Sequence, residues 1–286
     1  ESVQAWAKKN GICLRKAADA SNLAEWMDQS IMLCTLSENK GISANTNAGI
    51  ELAAGDAVGL LDHDDLLTAN ALWEMADCLE KEKKRGKQKL VLFSDEDKCD
   101  KAASRFYEPN FKPDFDGELL LTNNYICHFT VIETAFLKEL KLRSGFDGAQ
   151  DYDLMLRAYA AGGQFVHVPK VLYHWRCHEA STASNPQSKR YAYEAGQRAL
   201  EDYCLRKGWK ATVSGLKHLG FYREDYEDSV FCQRPEIGIW AKPLPGGRDV
   251  FGIRHPKGFL VSGLYENDGS MRYAGLRKGY SGPMHR

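Results

Sequence analysis

The sequence predicts an α/β fold: a mixed, mainly parallel sheet flanked by helices, followed by a small irregular C-terminal segment. Segments whose apolar residues recur at helical spacing alternate with short apolar runs as far as Trp209. Two of those runs end directly in acidic clusters, at Asp62 and at Asp95. After Trp209, glycine and proline become frequent and no long helical period remains.

The stretch over residues 39–67 contains the first helix–strand unit. It begins with the turn NKGIS and continues as a predicted helix over residues 43–54, with Gly55 just past its end. Residues 57–61 read AVGLL, a short strand of the kind that is buried in a parallel sheet. The strand stops on Asp62-His63-Asp64-Asp65.

The remaining elements follow from the same periodicities. Residues 102–122 read as irregular, because Pro109 and Pro113 exclude a long helix. In the last segment, residues 237–242 and 258–263 each read as a strand followed by a turn. Helices are predicted over 69–84, 134–142, 150–161 and 187–208, and strands over 90–93, 123–132, 165–168 and 171–176.

Composition limits the possible classes. The 286 residues are 43% hydrophobic and 27% charged, as in a globular protein, and the net charge of -1 gives no support for nucleic acid as a partner. The eight cysteines form no CxxC pair, so a zinc ribbon is not expected and the thiols are expected to be reduced. The sequence contains neither a membrane-spanning apolar run nor a recognisable signal peptide.

The acidic cluster after residues 57–61 is the first candidate site. Three carboxylates at the carboxyl end of a buried strand are costly unless a positive charge lies between them. A divalent cation that holds a diphosphate fits this position, because ligands of open α/β sheets bind at that edge. The alternative is a solvated turn or a helix cap, and Asp65 is a candidate for capping the next helix.

Several motifs in register resemble those of family 2 glycosyltransferases with the Rossmann-like GT-A fold, in particular bacterial enzymes that build rhamnose-containing or O-antigen polysaccharides. The resemblance covers most of residues 39–183. The motifs are NKGISANTNAGIELAAGDAVGLLDHDDLL (39–67), LFSDEDK (92–98), FKPDF (111–115), NNYICH (123–128), SGFDGAQDYDLMLR (144–157) and HVPKVLYHWRCHEASTA (167–183).

The resemblance also implies a domain organisation. Residues 1–212 are expected to be a GT-A domain that lacks the family's first strand, and residues 213–233 a linker. Residues 234–286, which include YENDGSMRYAGLRKGYSG, resemble a late part of a second glycosyltransferase module. The chain is thus expected to be a truncated tandem enzyme.

The resemblance implies the following donor-side roles. Asp62 and Asp64 would bind Mn²⁺ or Mg²⁺ through carboxylate oxygens and thereby hold the diphosphate. His178, in an Arg-x-His-x-x-Ser arrangement, would approach the metal or the diphosphate, with His174 as the other candidate. Asp19 would contact the base or ribose. The remaining donor-binding candidates are Asn39, Ser43, Asn47 and Asp95.

Asp151 is the predicted catalytic base, because the resemblance puts Gln150-Asp151 in the place of the family's Glu-Asp pair at a helix start. The alternative is that Asp151 or Asp153 caps the helix. If Asp151 is not the base, Asp153 and Asp95 are the next candidates. Asp97, Gln150 and Trp175 are assigned to the acceptor side.

The predicted function is inverting, metal-assisted transfer of a sugar from a UDP- or dTDP-sugar to a glycan or lipid-linked acceptor. The expected location is cytoplasmic, or peripheral at the inner face of the membrane. One alternative is an inactive module that supports a polysaccharide-assembly complex. Another is a phosphatase of the haloacid dehalogenase type, whose site also opens with a strand and DxD, although the NKGIS unit and the Gln-Asp-Tyr-Asp helix argue against it.

Overall fold

The computed structural model describes residues 36–177 and 190–227, and the backbone of four strands that lie between Gly238 and Lys278. The chain divides into two compact units. The first comprises the described residues up to Gly208 together with Thr212–Glu224. The second comprises Trp209–Ala211 and the described residues from Asp225 onward.

Helices and strands alternate through most of the first unit. Six helices are described: α1 (Ile42–Leu52), α2 (Ala71–Lys84), α3 (Gly117–Thr122), α4 (Thr134–Leu140), α5 (Gln150–Ala160) and α6 (Arg190–Arg206). The first eight described strands are β1 (Ala57–Leu60), β2 (Leu66–Leu67), β3 (Leu90–Cys99), β4 (Phe106–Asn110), β5 (Thr130–Glu133), β6 (Gln164–Arg176), β7 (Ala211–Gly215) and β8 (Tyr222–Tyr226). A short 3-10 helix, Ser144–Phe146, precedes α5.

The main sheet is mixed, in the order β1-β5-β3-β6-β2, with β4 paired to β3. Strands β3 and β6 are parallel neighbours, whereas β5 runs antiparallel to both β1 and β3. Therefore β1, β3 and β6 all point the same way, and their carboxyl ends lie at one edge. This mixed α/β architecture confirms the predicted fold class, with β3 and β6 as the one parallel pair among the described strands of this sheet.

The core of the first unit lies between α2 and the sheet. Helix α2 buries one stripe, as its apolar periodicity predicts. The residues at positions 90–93 of β3 are completely buried, and each buried side chain of this size stabilises the fold by about 1.5–3 kcal/mol. The central cluster contains Ala71, Met75, Leu79, Leu90, Leu92, Phe129, Val131, Val168, Leu172 and Tyr173.

Strand β1 is half-buried, not buried as the sequence predicts. Among the described strands it has one neighbour, β5, and Gly59 packs so closely on the ring of Phe129 that an added Cβ would lie 2.9 Å from it. The apolar run therefore forms a strand whose second edge has no described partner.

Strand β3 is longer than predicted, and the acidic residues expected after it lie within it. All ten residues pair with β6, which continues through Pro169 as one strand where two were predicted. The pairing shifts register between Ser94 and Asp95, so Pro169 and Lys170 fall opposite no residue of β3. A bulge of this kind accommodates proline, which cannot donate a ladder hydrogen bond.

Residues 102–122 contain strand β4 and helix α3, where the sequence indicated only irregular structure. Asp116 caps α3 by accepting hydrogen bonds from the backbone of Glu118 and Leu119. The two prolines exclude a long helix, but they permit a five-residue strand and a six-residue helix.

Residues 123–129 were predicted as the start of a strand, but the strand begins at Thr130. The preceding loop is held by Lys112, whose side chain is only 1% exposed. Its Nζ donates to the carbonyl of Ile126 at 2.9 Å and to that of His128, and it lies 3.9 Å from Oε2 of Glu96. Because the ammonium group satisfies these two carbonyls, they do not require hydrogen bonds from a neighbouring strand.

The C-terminal part of the second unit is more regular than predicted. Strands β9 (Gly238–Leu244), β10 (Arg248–Arg254), β11 (Phe259–Tyr265) and β12 (Met271–Lys278) pair antiparallel in sequence order. Two of them, β9 and β11, coincide with the repeated strand–turn pattern. The sequence predicted irregular structure here because helical periodicity is lost. Short strands form without a long apolar period, and the segment is an antiparallel meander.

Strand β8 contains Glu224, whose carboxyl group is partly buried. Atom Oε1 of Glu224 is buried and has no hydrogen-bond partner among the described residues. Burial raises the pKa of Glu224 to about 7. This group therefore favours its neutral form in the folded protein and opposes folding once it ionises.

We predict that Lys112→Met destabilises the fold by about 3–5 kcal/mol, because it leaves Glu96 and two buried carbonyls without their cation. Urea unfolding at neutral pH measures this change. The control is Lys98→Met, since Lys98 pairs at 2.6 Å with a Glu108 that is 66% exposed. Such an exposed pair contributes at most about 1 kcal/mol. Equal losses in the two variants would contradict the structural role of Lys112.

We predict that stability falls as the pH rises from 4.5, the ordinary pKa of a glutamate, to about 7, the pKa of folded Glu224. The folded state binds this proton more tightly, so its contribution is full below that window and lost above it. Glu224→Gln should remove this loss and, after allowance for solvent screening, stabilise the protein by about 1–2 kcal/mol at pH 8. Thermal unfolding across the pH range tests it, with Glu80→Gln, 67% exposed on α2, as the control. An unchanged pH profile in Glu224→Gln would refute this assignment.

Candidate active site

Three consecutive acids of β3 each face a histidine. Oδ1 of Asp95 lies 2.8 Å from Nε2 of His167, and Oδ1 of Asp97 lies 2.5 Å from Nδ1 of His174, both histidines belonging to β6. Glu96 points the other way, towards His128 in the loop before β5, with Oε2 3.6 Å from Nδ1. Successive side chains of a strand point to opposite faces, so Asp95 and Asp97 face β6 histidines while Glu96 faces His128.

His128 lies between the acidic turn after β1 and the acids of β3. Its Nε2 is 3.9 Å from Oδ2 of Asp62, and its ring stacks on Tyr173 with centroids 5.1 Å apart. Burial opposes protonation of His128, but the carboxylates of Glu96, Asp151 and Asp62 outweigh it and raise its pKa. His128 is therefore protonated more readily than an isolated imidazole.

Glu96 and Lys112 continue this alternation of charge below His128. Burial works against ionisation of Glu96, but His128 and Lys112 outweigh it and hold its pKa below the ordinary value. The backbone N–H of His128 also donates to Glu96 at 2.7 Å. Burial in turn lowers the pKa of Lys112, with Glu96 opposing that shift. Acidic and basic side chains thus alternate in space in the order Asp62, His128, Glu96 and Lys112. These four residues are called the charged row.

The acidic turn is anchored by its third member. Asp65 is buried and accepts hydrogen bonds from the hydroxyl of Tyr173 and, at 2.7 Å, from the backbone N–H of Arg176. Burial raises the pKa of Asp65, and these two donors oppose the rise. Asp65 therefore does not cap the next helix, whose N-cap is Asn70, but fastens the turn to β6.

Asp62 and Asp64 remain accessible above this anchor, with side chains 57% and 36% exposed. Both follow β1, at the carboxyl edge shared by β1, β3 and β6. Their carboxylate oxygens suit a hard cation such as Mg²⁺, which typically takes one or two protein carboxylates and completes its shell with phosphate oxygens and water. The described residues contain no group of three or more Cys, His, Asp or Glu placed to hold an ion. The fit therefore requires ligands from a diphosphate.

Asp151, the predicted base, lies in the first turn of α5. Its Oδ2 accepts a 3.0 Å hydrogen bond from the side-chain amide of Asn124, and its Oδ1 accepts from the backbone N–H of Tyr152 at 2.8 Å. The N-cap of α5 is Ala149, which makes no side-chain cap bond. The contact with Asn124 ties the helix start to the loop that ends in His128.

Asp153 is only 1% exposed and is held by two arginines. Arg157 donates to it at 2.8 Å, and Arg143 donates through both Nε and a terminal nitrogen. A buried carboxylate shared between two guanidinium groups supports the helix and is poorly placed to accept a proton from a substrate. Gln150, the other residue of the predicted pair, accepts from the backbone of Gly148 at 2.8 Å.

The three candidates near α1 make local contacts. Asn39 accepts from the backbone of Gly41 at 3.1 Å, in a turn where Gly41 has φ 91. Ser43 donates to Asp147, and both polar atoms of Asn47 bond to the backbone of Leu142 at 2.8 Å. These contacts give each of the three polar side chains a structural role in α1 or in the turn before it, and donor binding by them stays a prediction.

Of the residues that the sequence analysis assigned to the acceptor, Trp175 lies beside His128, with ring centroids 6.0 Å apart. Asp97 is paired with His174, and that histidine also packs against Phe106. Asp95 accepts from the backbone of Lys112 at 2.8 Å as well as facing His167, so both its known partners are structural. Asp19 and His178 lie outside the described residues.

Sequence reasoning missed Glu96, Lys112 and His128 as members of the site. All three stand in the quoted motifs LFSDEDK, FKPDF and NNYICH. The sequence did offer one indication that they belong to the site, because each motif places an ionisable residue beside an apolar run. Their mutual contacts depend on three separate segments meeting, which spacing does not reveal.

Comparisons with known proteins point to one family of enzymes. Residues 15–140 match the glycosyl transferase family 2 model. The chain is 39% identical over 176 residues, 60% of its length, to the uncharacterized protein y4gI of Sinorhizobium fredii. It is 34% identical over 220 residues, 74% of its length, to the O-antigen biosynthesis protein RfbC of Myxococcus xanthus. It covers only 19% and 17% of those two relatives.

A shorter relative is the amylovoran biosynthesis glycosyltransferase AmsB of Erwinia amylovora, 30% identical over 56% of this chain and 57% of that protein. Among solved structures, S. aureus TarS 1-349 in complex with UDP-GlcNAc is similar with a TM-score of 0.45 and 17% identity, over 64% of this chain and 53% of that one. Within the described residues, no helix combines the length and apolar character needed to cross a membrane. Residues 15–140 of this chain are thus similar to glycosyl transferase family 2.

Proposed function

We propose that the chain transfers a sugar from a nucleotide-sugar donor, UDP- or dTDP-linked, to a glycan or lipid-linked acceptor, with inversion at the anomeric carbon. The observation that carries the proposal is the setting of Asp151. It is fixed by Asn124 at a helix start, and its charge acts on His128 together with that of Asp62. The charges of a base candidate and of a donor-side carboxylate thus both act on one imidazole.

On the donor side, Asp62 and Asp64 would hold Mn²⁺ or Mg²⁺. The bound ion would neutralise charge on the diphosphate and so make it a better leaving group. His128 supplies a positive charge next to Asp62 in the protein itself, and Glu96 and Lys112 keep that imidazole in place. Asn39, Ser43, Asn47 and Asp95 are retained as proposed contributors to donor binding, as are Asp19 and His178.

On the acceptor side, Asp151 would accept the proton of the attacking hydroxyl. The acceptor oxygen forms a bond to the anomeric carbon as the bond from that carbon to the phosphate oxygen breaks, and the electron pair leaves with the nucleoside diphosphate. Attack from the face opposite the leaving group inverts the configuration. A general base must lie within hydrogen-bond reach of its proton, and the bond from Asn124 gives Asp151 a fixed orientation. Gln150, Asp97 and Trp175 would border the acceptor.

The relatives support the cellular context. RfbC and AmsB carry names from O-antigen and amylovoran biosynthesis. We therefore propose a polysaccharide or glycolipid under assembly as the acceptor, at a cytoplasmic site or at the inner face of the membrane. An inactive module that supports an assembly complex is the competing function, and it would bind no nucleotide sugar.

We predict that nucleotide-sugar binding requires Mn²⁺ or Mg²⁺ and is lost in Asp64→Ala, because the carboxylate is then missing from the metal shell. Calorimetry with UDP- and dTDP-sugars, with metal and with a chelator, measures this. Asp77→Ala, on the surface of α2, is the matched control and should bind as the parent does. Equal affinity in the chelator would rule out the metal role, and no binding by the parent would favour the inactive module.

We predict that Asp151→Asn lowers the rate of sugar transfer by about 10²–10⁴-fold, the usual contribution of general base catalysis. The amide keeps the shape of the side chain and an oxygen for Asn124, so donor affinity and stability should stay near those of the parent. Transfer rate, donor affinity and thermal unfolding should be measured on one preparation. A rate within a few-fold of the parent would move the base elsewhere, and a loss of stability alone would show a structural role.

A further inference from the structure

A cavity of about 160 Å³ lies between α6 and the hairpin formed by β7 and β8. Arg190, Tyr193 and Gln197 of the helix line one side, and Leu216, Leu219 and Phe221 of the hairpin line the other. Leu219 and Phe221 are 37% and 42% exposed, so the cavity can be reached from solvent. All these residues belong to the first unit.

The cavity wall depends on a glycine in the middle of α6. A Cβ at Gly196 would lie 2.1 Å from the hydroxyl oxygen of Tyr222, so another residue there would displace the tyrosine. The hydroxyl of Tyr222 donates to the carbonyl of Tyr193 at 2.9 Å, which fixes its ring against the helix. Glycine inside a helix costs about 0.5–1 kcal/mol, and here it allows this close approach.

Two contacts connect the cavity to the proposed base. The ring of Tyr222 stacks on that of Tyr152, the residue after Asp151, with centroids 5.9 Å apart and planes at 19°. Phe221 pairs through its backbone with Asn123, the residue before the Asn124 that holds Asp151. One residue, Tyr152, separates the cavity lining from Asp151 along the first route, and two residues, Asn123 and Asn124, separate them along the second.

We infer that this cavity binds one sugar ring of the acceptor glycan. The inference rests on the proposed function and assigns the acceptor's place in it. A pyranose has C–H faces that pack against aromatic rings, as Tyr193, Phe221 and Tyr222 present, and hydroxyls that bond to polar groups such as Arg190 and Glu194. The volume corresponds to about ten water-sized groups, which suits one hexose and is too small for a long lipid chain.

The test uses the whole chain and a panel of methyl glycosides of hexoses, 6-deoxyhexoses and N-acetylhexosamines, titrated by ligand-observed NMR without nucleotide. We expect saturable binding of at least one glycoside by the parent. Leu219→Trp, which fills the cavity, should abolish it, and Phe221→Ala, which removes one aromatic face, should weaken it about tenfold. Leu205→Ala, on the same helix and 77% exposed, should bind as the parent does.

Thermal unfolding of each variant shows whether it is folded. Leu219→Trp adds volume to the cavity and Phe221→Ala removes it, so either variant alone tests the inference if the other does not fold. Parent-like binding by a folded Leu219→Trp or Phe221→Ala would overturn the inference, as would the absence of saturable binding by the parent. Because no nucleotide is present, glycoside binding through the cavity in a chain that binds no nucleotide sugar would refute the proposed transfer and still support the subsite.

Discussion

The burial of Lys112 is the constraint from which much of the site follows. An ammonium group with 1% of its side chain exposed loses its hydration and must find partners inside the protein. It finds them in two carbonyls of the loop over residues 123–129 and in Glu96. Because Glu96 is itself buried, it needs a second cation, and His128 lies on its other side. The charged row is thus a series of groups that each compensate the next.

This row couples parts of the chain that are distant in sequence. Lys112 comes from the segment between β4 and α3, Glu96 from β3, His128 from the loop before β5, and Asp62 from the turn after β1. Asp65 fastens that turn to β6 through Tyr173 and Arg176. The loop that carries His128 also carries Asn124, which holds Asp151. A shift of this loop would therefore move the imidazole and the carboxylate of the proposed base together.

The sequence predicted those parts that depend on local periodicity. Helix α5 was expected over residues 150–161 and occupies Gln150–Ala160, and the buried run at the start of β3 was placed correctly. Periodicity could not predict that β3 continues through three acids, because a polar strand interior is stable only when other segments bring partners, here three histidines. It also could not separate Asp151 from Asp153. The two aspartates differ in one partner: Asp153 accepts a hydrogen bond from Arg143, which lies outside the helix.

The exposed fraction of each aspartate side chain indicates whether it can bind a ligand or supports the structure. A carboxylate that takes up and releases an ion or a substrate must be reachable from water, whereas one that holds a loop is most effective when buried with its donors. Asp62 and Asp64 are 57% and 36% exposed, while the side chains of Asp95 and Asp153 are 4% and 1% exposed. All four are aspartates that the sequence places close to a predicted helix or strand end, so they look alike in the sequence. Burial divides them into two groups, with the accessible pair at the sheet edge where a diphosphate would lie and the buried pair supporting the elements that form that edge.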